Sequence, residues 1–86
     1  MKILKFYTKQ CGQCRLQSKI LEGLEGIEIE PIDCTENEDL VEKYKIVSLP
    51  VLIILDDNDN IIKRFDGITQ LDNIKKTIEE YERSSN

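Results

Sequence analysis

Apolar residues along the chain fall into seven groups, whose spacing switches between the two-residue period of a strand and the 3.6-residue period of a helix. Ile3 to Tyr7 is a short apolar and aromatic run that predicts a first strand. Leu16, Ile20, Leu21 and Leu24 then recur at helical spacing. Gly23 and Gly26 bracket the expected helix end, where a residue tolerant of positive φ is favoured. Ile27, Ile29 and Ile32 predict a second strand, with Glu28 and Glu30 alternating outward and Pro31 pointing to a sheet edge. Thr35 with Glu38 three residues on has the form of a capping box, opening a short helix that carries Leu40, Val41 and Tyr44. Val51 to Leu55 is uninterrupted apolar sequence between Pro50 and Asp56, the pattern of a strand covered on both faces. Asp56 to Asn60 is a polar turn, after which Ile61 to Phe65 can return as the second arm of a hairpin. Gly67 breaks the pattern. Thr69 and Asp72 repeat the helix-start signal, and Leu71, Ile74, Ile78 and Tyr81 share one face of a last helix. Arg83 to Asn86 are expected to fray.

The order β-α-β-α-β-β-α predicts an α/β fold. The first crossover makes its two strands parallel, and the tight final turn makes the last two antiparallel. A four-stranded mixed sheet flanked by helices satisfies both. Residues 1–86 are expected to form a single domain, and a chain of this length buries only about 60% of its unfolded surface. Ile, Leu, Val and Phe number 27, enough for a folded core. The 13 Ile beside no Ala point to genomic base composition rather than to chemistry.

Charge narrows the function classes. Twelve Lys and Arg against 17 Asp and Glu give −5, which argues against nucleic acid and against an anionic membrane surface. No apolar run approaches the roughly 18 residues of a membrane-spanning helix. The first ten residues carry Lys2, Lys5 and Lys9 and do not read as a secretory leader. Histidine is absent, which removes Ser-His-Asp and Cys-His catalysis and any His-ligated metal. Asp56, Asn58 and Asn60 imitate the start of a calcium loop. Ile61 stands where that loop needs glycine and Gly67 where it needs glutamate, so a hairpin turn is the better reading.

What remains is sulfur. Cys11 and Cys14 form a C-x-x-C pair, with Cys34 as a third thiol. An odd count is a poor framework for structural disulfides, zinc would lack ligands, and an iron–sulfur cluster wants four thiolates. Cys11 falls between the first strand and the first helix, where unpaired N–H groups and the positive end of the helix dipole favour a thiolate. Cys14, one turn on, is placed to resolve a mixed disulfide formed by Cys11.

Strand, C-x-x-C at a helix start, β-α-β, and then Ser48-Leu49-Pro50 before a buried strand together resemble the thioredoxin superfamily, over nearly the whole chain. The resemblance implies a thiol–disulfide oxidoreductase: an electron carrier in cell redox homeostasis that exchanges electrons with protein disulfides. Cys11 would be the nucleophile and Cys14 the resolving thiol. It implies that Pro50 is a cis-proline against the disulfide, keeping metal from the thiols. Ser48, Leu49, Pro50 and Gly67 would then form the substrate-binding surface. Gln10, Gly12 and Gln13 border the pair. They depart from the family's usual aromatic residue before the first cysteine and from its Gly-Pro or Pro-Tyr between the two. Lys5 stands where many thioredoxins bury an acid, and a lysine there either lowers a thiol pKa or snorkels to the sheet margin. Asp33 matches an acid at the end of the second strand, for which a solvated turn role suffices.

The expected setting is a monomer in a reducing cytoplasm, without cofactor or metal. Its reductant would be of the thioredoxin-reductase type or glutathione. Two alternatives stand beside this reading. One is a glutaredoxin-like, glutathione-dependent reductase. Gly67-Ile68-Thr69-Gln70 is loosely similar to a glutathione-binding stretch and Lys9 is placed to meet a carboxylate, although the paired glycines and following acid are missing. The other is a non-catalytic peptide-binding module. Cys34, at the end of the second strand, is expected on the active-site edge within about 10 Å, two strand spacings. It is either a small packed residue or an accessory, regulatory thiol.

The helix-start argument yields a labelling order. Substoichiometric iodoacetamide should alkylate Cys11 of the reduced protein before Cys14, and mapping by peptide mass spectrometry reads the order. Preferential labelling of Cys14 would reverse the assignment.

Overall fold

The computed structural model describes residues 1–84. The elements are β1 (Lys2–Tyr7), α1 (Gly12–Leu21), β2 (Glu28–Asp33), α2 (Glu38–Lys43), β3 (Val51–Leu55), β4 (Ile61–Asp66) and α3 (Leu71–Ser84). They build one sheet of order β2-β1-β3-β4. β1 and β2 run parallel, whereas β3 is antiparallel to both β1 and β4. The expected α/β architecture is therefore present, with Pro31 on an edge strand.

The sheet sorts its side chains by alternation. Ile3, Leu52 and Ile54 face α1 and α3, packing with Leu21, Ile74 and Ile78. Leu4, Phe6, Ile32, Val51, Ile53 and Leu55 face the other way, where Leu40, Tyr44, Ile46 and Leu49 cover them. The Phe6 and Tyr44 rings meet edge to face at 5.8 Å. β3 is central and covered on both faces, which is why all five of its residues are apolar and buried. The hairpin after it is closed by Asp56, whose Oδ1 accepts from the backbone N–H of Asn58 and Asn60 at 2.8 and 2.9 Å.

Five local expectations change. Leu16 lies outward at 50% exposure, and the buried face of α1 is Cys14, Gln17 and Leu21. Gly23 is not in the left-handed region; it is small because a Cβ there would come within 2.5 Å of Leu71 Cδ2, whereas Gly26 has φ +78°. Thr35 does not cap α2: its N–H and hydroxyl both donate to Asp33 Oδ1, at 2.9 and 2.7 Å, and Asn37 takes the N-cap position. α3 begins at Leu71, with the Gln70 carbonyl accepting from Asn73 and Ile74, so the cap lies one residue beyond Thr69. Arg83 and Ser84 are helical rather than frayed; the rest of that expectation, at residues 85–86, lies outside the described residues.

Gln17 is fully buried with both ends of its amide hydrogen-bonded. Its Nε2 donates to the Thr69 carbonyl at 3.0 Å and its Oε1 accepts from the Thr69 N–H at 2.7 Å, joining α1 to the segment between β4 and α3. Gln17→Ala leaves both buried backbone groups without partners and should destabilise the fold by about 2 kcal/mol. Urea unfolding with an unchanged m-value reads this directly. A loss below about 0.5 kcal/mol would show that Thr69 finds other partners.

Candidate functional site

β1 ends at Tyr7, and the chain turns so that the Cys11 N–H bonds back to the Thr8 carbonyl at 3.2 Å. That turn delivers Cys11 to the N-cap of α1, with extended dihedrals of φ −84° and ψ 105°. Its Sγ accepts from the Cys14 N–H at 3.1 Å, the role a serine or aspartate side chain plays at an ordinary helix start. Cys14 lies on the inward face at 2% exposure, whereas Cys11 is half-buried, and Gln10, Gly12 and Gln13 are exposed around them. The two cysteines are at disulfide distance with Cα atoms 5.2 Å apart. One sulfur is thus presented to solvent at the positive end of a helix, and the other is held behind it.

The Leu49–Pro50 peptide is cis, and Pro50 is buried. The Pro50 carbonyl accepts from the Gly67 N–H at 2.8 Å. Gly67 has φ +90°, which any side chain would strain. Two residues on, Thr69 is gripped by Gln17 of α1. Cys14, Gln17, Thr69, Gly67 and Pro50 therefore belong to one connected framework. Ser48 is exposed and Leu49 half-buried on the α2 side of the sheet. Gln17 has no signal in the apolar periodicity. Val47, directly before Ser48, is 90% exposed.

Lys5 neither reaches open solvent nor sits in the core. Its Nζ donates to Ser18 Oγ at 2.5 Å, the Ser18 hydroxyl donates to the Cys14 carbonyl at 3.0 Å, and the Tyr7 ring lies 5.5 Å from the ammonium. Burial pulls the Lys5 amine below the ordinary lysine range. Asp33 is only 7% exposed, so its turn role is buried rather than solvated. The two Thr35 hydrogen bonds pull its carboxyl below the usual range.

Cys34 lies on the edge expected for it, its N–H donating to the Tyr7 carbonyl at 2.9 Å. Its side chain packs half-buried against the α2-side core, and burial followed by the Asp33 charge pushes its thiol up. That setting favours a packed, protonated sulfur. Among the described residues no group of three or more Cys, Asp or Glu comes together to hold a metal. No described helix is long and apolar enough to cross a membrane.

Comparison with known proteins agrees with this geometry. A sequence model described as Thioredoxin matches residues 1–80. The thioredoxin of Staphylococcus epidermidis is 31% identical over 68 residues, 73% of this chain and 65% of that protein, so the chain spans less than two thirds of that relative. The SPbeta prophage-derived thioredoxin-like protein YosR of Bacillus subtilis is 26% identical over 80 residues, 91% of this chain and 99% of that one. Among solved structures, thioredoxin 1 from Thermosipho africanus superposes with a TM-score of 0.81 at 32% identity, covering 100% of this chain and 99% of that one. With the strand order, the cysteine pair at the start of α1 and the family match all in register, the chain belongs to the thioredoxin family.

Proposed function

We propose that the protein is a thiol–disulfide oxidoreductase that passes two electrons to protein disulfides through Cys11 and Cys14. The asymmetry of the pair carries the reading: Cys11 at a helix N-cap with an N–H on its sulfur, Cys14 buried one turn behind. In the reduced protein that N–H and the helix dipole stabilise a Cys11 thiolate. The thiolate attacks one sulfur of the substrate disulfide, forming a mixed disulfide and releasing the first substrate thiolate. Cys14, as thiolate, attacks Cys11 Sγ and releases the second. Its own proton passes to solvent, and the Cys11–Cys14 disulfide is the oxidised product. Substrate would lie along Ser48, Leu49 and Pro50, with Gly67 beside them, a surface whose spacing from α1 is held through Thr69 and Gln17. Electrons would be restored by a thioredoxin-reductase-type enzyme or by glutathione, for a monomer working in a reducing cytoplasm. The half-buried setting of Cys34 against the α2-side core supports a packing role rather than an accessory thiol.

Removing the resolving thiol should stop the reaction halfway. A Cys14→Ser variant should accumulate mixed disulfides with disulfide-bonded substrate proteins, joined through Cys11, while Cys11→Ser returns dithiothreitol-driven reduction to its uncatalysed rate. Peptide mapping of the trapped adduct identifies the sulfur. Trapping through Cys34, or none at all, would overturn the assignment.

A further inference from the structure

A net charge of −5 should repel anionic substrates, yet the ground beside the cysteine pair has the opposite sign. A depression of about 370 Å³ is lined by Lys5, Lys9, Arg15, Tyr7, Cys14 and Pro31 among others, and no carboxylate lines it. It lies on the β2 side of the pair, with Pro31 in its wall, whereas Pro50 leads into β3 on the other side of β1. Lys9 and Arg15 are both exposed. The Arg15 Nη1 donates to the Lys9 carbonyl at 3.1 Å, and its Nη2 lies 3.8 Å from where a Cβ on Gly12 would stand. The guanidinium is thus folded back over the segment that contains Cys11. Asp33 feels the Lys9 charge, but its Oδ1 already accepts from both the N–H and the hydroxyl of Thr35. Glu30 belongs to the opposite, α2 side of the sheet. No acid occupies the first turn of α1, so helix dipole, Arg15, Lys9 and Lys5 add with the same sign.

We propose that this cationic flank selects disulfides whose neighbouring residues are acidic, with Lys9 and Arg15 receiving the carboxylates while Cys11 attacks the sulfur. The inference rests on the exchange reaction proposed above. It makes Lys9 and Arg15 specificity-determining residues for that reaction, acting on encounter and orientation rather than on the electron transfer itself. The reaction is otherwise unchanged: the Cys11–S bond forms as the substrate S–S bond breaks, and Cys14 then displaces the second thiolate.

Three symmetrical disulfide-linked peptides, identical except for two Glu, two Gln or two Lys beside the cysteine, separate the outcomes. Second-order rate constants for the reduced protein are measured by acid quench and chromatography at low salt and at high salt. The flank predicts the order Glu, Gln, Lys from fastest to slowest, with about a tenfold Glu-to-Lys ratio at low salt that falls to about twofold in 0.5 M salt. Whole-molecule charge alone predicts the reverse order. In a Lys9→Gln, Arg15→Gln variant the Glu-to-Lys ratio should fall to one or below, and because this is a ratio it is insensitive to loss of folded protein. A wild-type ratio at or below one, or a ratio that the variant leaves intact, would overturn the flank. Failure of all three peptides to react would instead overturn the exchange reaction beneath it.

Discussion

The buried amide of Gln17 is the contact on which the geometry of the site depends. The core needs no help to form the sheet, since β3 is apolar throughout and both faces are covered. The position of the redox helix against the loop after β4 is a different matter. It is held by two hydrogen bonds between one side chain and the backbone of Thr69. Because both partners are out of water, their orientation is strongly constrained, and each bond would be costly to leave unmade. Gly67 and Pro50 are tied to the same loop, so α1 and the start of β3 are linked through that amide pair.

On this frame, reactivity is set by position along one helix. A cysteine at an N-cap takes an N–H that the helix leaves unpaired, and it gains the favourable end of the dipole. One turn later the same residue type is buried and screened from solvent. Cys34 shows the contrast: also near a helix start, it turns toward the α2-side core, and burial raises its thiol. Three cysteines on one sheet edge thus occupy three different environments. Lys5 adds a cation behind the pair, bonded through Ser18 to the Cys14 carbonyl.

The element order, the strand directions and the place of the cysteine pair were legible because they follow from periodicity and from connection length. The cis peptide at Pro50 came only with the family resemblance; proline alone does not specify it. The misreadings share a cause. Periodicity counts apolar residues, so it assigns Leu16 to the buried face and says nothing of Gln17, although burial goes to the residue whose polar groups find partners 52 positions away. The Thr35–Glu38 box failed because Asp33, two residues upstream, captures the threonine first. The surroundings of Lys5 and the cationic depression depend on contacts between β1, β2 and α1 that no local window contains.

The central claim is that the start of α1 makes Cys11 a thiolate at working pH. In a Cys14→Ser, Cys34→Ser variant Cys11 is the sole thiol, and its ionisation can be followed by absorbance at 240 nm across a pH titration. The account predicts a midpoint at least about one unit below the roughly 8.5 of an unperturbed cysteine. A midpoint at or above that value would contradict it.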